Sequence, residues 1–420
     1  MKKSIAMVLA TLMAASCLLV GCGSKNPTSS NPTSDSSVSS TDETATGETA
    51  TGENAASAAA ADSEAASEEP SEQVEPVDMS DNYSAGLNNK GMYKNVKATK
   101  IVTLPEKYKE IPVPQSVLDE GKQETVDELM EQIRQLYGEK SEVQRAAQMG
   151  DMVVIDYDGT INGDSFSGNR GTDTEVILGQ GKFVEGFEEQ LAGHFTNEKF
   201  EIHVTFPADY PDVTNANGDT IVLAGQDVVF VITLKKVIEL SLNDAAVQAF
   251  VADYNWSNDE SGASISTVDG MESYYGKLIE DDNRWSYVVQ YMTENSIISE
   301  IPQQLIDDQK ATYHQELVAG SAASGVTTDE YLASLGYESE EAWMAEMEES
   351  ITNSVKSYLV FQAVAEKEKI SVKESDVDDY FNGDTLSKNQ AISYYGKEFL
   401  YQSLLYEKVG DWLCEHAVTA

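Results

Sequence analysis

Leu178-Gly179-Gln180-Gly181-Lys182-Phe183-Val184-Glu185-Gly186-Phe187-Glu188-Glu189-Gln190-Leu191-Ala192-Gly193 decides how the middle of this chain folds. Val184, Phe187 and Leu191 recur at helical spacing, so the stretch reads as one short helix with an apolar face. On both sides of it the apolar period falls to two. Val153, Ile155 and Tyr157 alternate with Val154, Asp156 and Asp158 until Gly159. From Lys199 onward, Phe200, Ile202, Val204 and Phe206 share one face, with Lys199, Glu201, His203 and Thr205 opposite. That alternation marks a half-buried antiparallel strand. Asp227 to Val237 is a third run, rich in β-branched residues, and Asn162-Gly163 and Asn217-Gly218 supply turn chemistry. The expected unit is a small antiparallel sheet wrapped on one short helix.

Further out the periodicity is helical. Order is expected from near Tyr93, with Tyr108, Ile111 and Val113 in a Pro-punctuated extended stretch. From Ser116 a helix is predicted with Leu129, Met130, Ile133, Leu136 and Tyr137 on one face and Gly138 near its end. After Leu240, Trp285, Val288, Val289 and Met292 form one stripe, and Pro302 suits the first turn of the next helix. A long helix is expected around Trp343, Met347, Ile351, Val355, Tyr358 and Leu359, and a last one from Lys397 through Trp412.

The N-terminal end follows other rules. Met1-Lys2-Lys3 is basic, and Ile5 to Val20 is apolar or small, the build of a secretory signal and too short for a transmembrane helix. Leu18-Leu19-Val20-Gly21-Cys22 resembles the bacterial lipobox, which implies cleavage before Cys22 and a lipid on its thiol. From Gly23 to about Ser80 there is no aromatic residue, and the segment reads as a disordered, self-repelling tether. Cys17 and Cys22 fall in this region and leave Cys414 as the one cysteine of the mature body, so no internal disulfide is expected.

Charge and composition exclude several functions. With 28 basic and 72 acidic side chains the net charge is −44, which repels nucleic acid and anionic lipid headgroups. A basic or unfolded apolar client is compatible with it. The 4 histidines, at 194, 203, 314 and 416, lack metal-ligand spacing, and no metal or cofactor is expected. Gly179-Gln180-Gly181 lacks a Walker lysine and serine and a Rossmann context, so it reads as the turn opening a helix. Asp307-Asp308 and Asp378-Asp379 lack calcium-loop spacing and read as solvated helix faces.

Four blocks in order carry a family resemblance. Gly150 to Gly159 followed by Asn162 to Phe166, then Leu178 to Gly193, Val204 to Tyr210, and Phe230 to Val237 together resemble the FKBP-type domain of trigger factors. Glu300-Ile301-Pro302-Gln303-Gln304-Leu305 and Ala365-Glu366-Lys367-Glu368-Lys369-Ile370 are similar to the helical C-terminal domain of that family. No counterpart of its ribosome-binding domain is evident, so ribosome docking is not expected. The resemblance implies an α+β fold, an FKBP-like antiparallel sheet inserted in a trigger-factor-like all-α framework. It divides the chain into a signal peptide at 1–21, a tether at 22–85 and a linker with a helical segment at 86–148. An FKBP-type domain at 149–240 and a helical chaperone domain at 241–420 complete it.

It also implies an activity, peptidyl-prolyl cis-trans isomerisation, whose barrier is roughly 18–20 kcal/mol. Twisting the X–Pro amide removes resonance and polarity, so an apolar pocket of the right shape favours the twisted state without proton relay or covalent step. By the resemblance that pocket is lined by Tyr157, Phe166, Val184, Phe187, Tyr210 and Phe230. Phe187 would be the floor under the prolyl ring, Tyr157 and Phe230 its walls, and Phe166 would close one side. Val184 would offer its backbone amide to a substrate carbonyl. Tyr210 would contact substrate from the loop after Pro207, and Leu223 would add to that loop's apolar face. The expected protein is a lipid-anchored isomerase and chaperone on the extracytoplasmic face of the cell membrane, acting on unfolded or nascent secreted polypeptides with X–Pro bonds. The alternatives are a client-binding holdase with a catalytically weak domain and a scaffold lipoprotein that has borrowed the fold.

Overall fold

The computed structural model describes residues 83–161, 166, 168–214, 220–254 and 265–420. The signal, Cys22, the tether up to residue 82 and the Asn162-Gly163 and Asn217-Gly218 turns lie outside them. Packing starts earlier than the sequence suggests: Tyr83 and Leu87 are buried, ten and six residues ahead of Tyr93.

Five strands build one antiparallel sheet: Glu139–Glu142 (β1), Met152–Thr160 (β2), Arg170–Ile177 (β3), Lys199–Thr205 (β4) and Asp227–Ser241 (β5). The long β5 is the axis. Along one edge it pairs with β2, from Thr160↔Val229 to Met152↔Ile238, and β3 adds outside β2. Along its other edge it pairs first with β4, from Thr205↔Asp227 to Lys199↔Thr233, and then with β1. A register shift between Val154 and Ile155 bends β2. The period-two pattern holds: Val153, Ile155, Ile202, Val204, Phe230, Ile232 and Leu234 fill one core. The segment expected as a short helix does lie across that face, but its regular part is a single 3-10 turn, Glu189–Leu191. Gly181 and Gly186 hold positive φ (+66 and +83), which no continuing α-helix accepts.

Helices enclose the remaining cores. Lys122–Tyr137 (α1) packs on Asp244–Asp253 (α2) and Val268–Asn295 (α3) through Val126, Met130, Ile133, Val247, Phe250 and Met271. Two details differ from expectation. The helix predicted from Ser116 is broken, because Gly121 at φ +65 separates Gln115–Leu118 from α1. Leu136 is 68% exposed, since it falls outside the arc shared by Val126, Met130 and Ile133.

Gln303–Ser324 (α4), Glu348–Glu368 (α5) and Lys397–His416 (α6) form the main body with α3. The long helix expected from Trp343 to Leu359 is two, Glu340–Glu346 and α5, joined at Met347. Residues 86–118, expected as a linker, are part of this body: Leu87, Tyr93, Val102, Tyr108, Ile111 and Val113 share its core with Val288, Leu359 and Leu405. Two short strand pairs stitch them in, Val102↔Ile298 and Pro112↔Val418.

Candidate active site

Tyr157 leaves the concave side of β2 and Phe230 that of β5, at neighbouring registers, because Gly159 rather than Tyr157 is the direct partner of Phe230. Gly159 matters for a second reason. A Cβ there would stand 2.3 Å from the Phe230 ring, so only glycine lets that ring lie against the strand. Gly171 on β3 gives Tyr157 the same clearance.

Phe187 closes this corner from the crossing segment. Its ring is perpendicular to Phe230 at 5.3 Å and to Tyr157 at 6.0 Å, and Tyr157 meets Phe230 at 6.0 Å. These edge-to-face contacts suit the ring quadrupoles. Phe166, Phe206 and Tyr210 make a second aromatic group, with Phe166 at 6.2 Å and Tyr210 at 4.6 Å from Phe206. Buried Leu223 and half-buried Val184 belong to the same apolar core. The structure thus gathers all seven expected pocket residues on one core, as two adjoining groups. Among the described residues nothing accepts a hydrogen bond from the Val184 N–H, while its carbonyl accepts from Phe187 N–H at 3.0 Å.

The crossing segment is held by one carboxylate. Glu188 is 3% exposed and accepts from the backbone N–H groups of Gly179 (2.8 Å), Gly181 (3.0 Å), Lys182 (2.9 Å) and Phe183 (3.2 Å). Gln190 pins the segment to β4, donating to the Gly186 carbonyl at 2.6 Å and the His203 carbonyl at 2.8 Å. Asp156 points away from Tyr157, where Lys235 and the Asp173 N–H hold its carboxyl below the usual range.

Two residues of this site escape a reading of apolar spacing: Phe183 stacks on Phe187 at 4.5 Å with the planes 13° apart, and Glu188 shapes the turn. Phe206, placed on the apolar face of its strand by alternation, turns out to centre the second group. The one hint is an aromatic residue inside an otherwise polar glycine turn, four positions before Phe187. An open cavity of about 520 Å³ lies elsewhere, where α1 meets the sheet, lined by Arg134, Arg145, Asp151 and Glu239. Its charges are already paired: Arg145 holds Asp151 through two bonds, 2.5 and 2.9 Å, and reaches Glu239 at 3.2 Å. It is a joint.

Residues 143–235 match the family model of the FKBP-type peptidyl-prolyl cis-trans isomerase, and residues 277–415 that of the bacterial trigger factor protein C-terminus. The chain is 28% identical over 360 residues to the trigger factor of Halothermothrix orenii, covering 82% of this chain and 80% of that one. To the trigger factor of Streptococcus suis it is 30% identical over 288 residues, covering 66% and 64%. To that of Desulforudis audaxviator it is 27% identical over 281 residues, covering 64% and 59%. The chain therefore spans 64% and 59% of the length of the latter two, less than two thirds of each. A solved trigger factor chaperone aligns with 75% of this chain and 72% of its own at 16% identity and a TM-score of 0.35.

Proposed function

We propose, for a chain that carries an FKBP-type peptidyl-prolyl isomerase domain ahead of a trigger factor C-terminal region, that it isomerises X–Pro bonds in unfolded clients and holds those clients on its helical body. The observation that supports this most is the corner of Tyr157, Phe187 and Phe230, with a Val184 amide that has no acceptor among the described residues. An X–Pro peptide placed there meets aromatic walls that exclude water and one donor for its carbonyl. The twisted amide, less polar than either planar form, is favoured by such surroundings. Glu188 takes no part in proton transfer on this reading, since both its oxygens already accept from the turn.

The basic start, the apolar run to Val20 and the lipobox-like Leu18 to Cys22 support a lipid-anchored place on the outer face of the cell membrane. Clients there are secreted polypeptides. Replacing Cys22 with alanine is expected to leave the precursor unlabelled by radioactive fatty acid, and normal labelling overturns the anchor.

The test of the enzyme is isomerisation of a short X–Pro peptide by the chain from residue 23, beside Phe187→Ala. A rate above background that the substitution removes supports the reading; an unchanged rate refutes the site. One observation favours a second reading, a client-binding chaperone with slow turnover: Phe183 covers the floor. Aggregation suppression at background isomerase rate would select it.

A further inference from the structure

We infer that Phe183 is the gate of the prolyl site: its ring occupies the face of Phe187 on which a prolyl ring has to stack, and substrate enters only when it swings aside. The inference rests on the isomerase reading for its substrate and on geometry for its mechanism. Phe187 is 1% exposed, whereas Phe183 above it is half-buried, so Phe183 lies on the solvent side. Its plane is 13° from that of Phe187 with the ring centroids 4.5 Å apart, an offset stack that covers much of the face. Tyr157 is perpendicular to both rings, at 86° in each case, and Phe230 is perpendicular to Phe187, so these two border the face without covering it.

The backbone around Phe183 permits the side chain to move and little else. Glu188 holds the Phe183 N–H and three N–H groups before it. Rotation about the Phe183 side-chain bonds therefore opens the face while the turn and the Val184 amide stay in place. A closed majority lowers apparent affinity by the open fraction, a selection against weak ligands that a first contact by the rest of the client can relieve. Phe183 is thus a specificity-determining residue, acting on KM.

The experiment compares the full chain with Phe183→Ala, Phe183→Leu and Phe187→Ala, measuring Kd for an X–Pro tetrapeptide and kcat/KM for its isomerisation. Loss of one stacked pair predicts roughly two- to twelvefold tighter binding and higher kcat/KM for Phe183→Ala, carried by KM. Phe183→Leu is expected between it and wild type, and it carries the test if circular dichroism shows the alanine variant unfolded. Weaker or unchanged binding in both Phe183 variants overturns the gate and makes the residue a wall or a bystander. Background rates in every protein, with tighter binding in the Phe183 variants, would sink the isomerase reading and leave the gate standing.

Discussion

Glu188→Gln is the perturbation that tests the architecture of the site most directly. One oxygen of Glu188 accepts from Lys182 and Phe183, the other from Gly179 and Gly181. An amide keeps one oxygen and presents an NH₂ to the remaining pair of N–H groups, donor against donor. Hydrogen bonds to a charged acceptor contribute about 1.5–3 kcal/mol each, so two lost bonds set an upper range of about 3–6 kcal/mol. Gly179, Gly181 and Lys182 are exposed residues whose bonds to Glu188 are only part-buried, so water replaces part of what is lost. Halving the range leaves about 1.5–3 kcal/mol of local stability, or roughly 10- to 100-fold faster amide exchange in the turn.

Hydrogen exchange is the assay, because several separate cores make a global melt ambiguous. Peptides covering 179–183 are expected to lose protection while those covering Asp227–Ser241 keep theirs. Equal protection of the turn in variant and wild type would show that the carboxylate is incidental to the geometry. Uniform loss across β5 would show a general core defect instead.

Two further outcomes follow from the packing and charge of the chain. Gly159→Ala places a methyl 2.3 Å from the Phe230 ring, and overpacking of this kind costs about 1–3 kcal/mol. Faster amide exchange along Met152–Thr160 and Asp227–Ser241 and a loss of isomerase rate are expected, and unchanged exchange in both strands would contradict the packing. Glu374 accepts from Lys388, Lys397 and the Tyr401 hydroxyl, which pull its carboxyl down to about 2. A depressed folded value means that the stabilisation is present above the ordinary value of 4.5 and is lost as pH falls towards 2. The helix Glu374–Tyr380 is therefore expected to loosen across that window, read by exchange of its amides, and Glu374→Gln is expected to flatten the dependence.

What was legible in the sequence is what a period expresses. Alternation in Val153, Ile155 and Tyr157 and in Phe200 to Phe206 fixes which face of each strand is apolar, and closing the sheet then brings Tyr157 to Phe230. Features set by tertiary partners left no such trace. Phe183 sits in a polar turn whose shape depends on a carboxylate five residues later. The breaks at Gly121 and Met347 interrupt runs that are periodic on both sides, and Leu136 is apolar without a neighbour to meet it. Tyr83 is buried by contact with Tyr395 and Phe399, more than 300 residues away, which no local pattern announces.

The two proposed activities rest on different cores, and the joint between them predicts that they are separable. The core under Phe187 shares no residue with the core around Leu359 and Leu405 or with that around Met130 and Phe250. Gly150 lies just before β2 and Leu240 near the end of β5, and Arg134 of α1 donates to both carbonyls, at 2.9 and 3.2 Å. Arg145 and Asp151 complete that polar joint. Polar contacts around an open cavity fix orientation without merging the apolar interiors, so a defect in one core is not propagated as a packing change into the next. Substitutions in well-separated, unconnected sites add independently. Loss of Phe187 is therefore expected to remove isomerisation and leave aggregation suppression by the helical body intact, and coupling between the two losses would refute their independence.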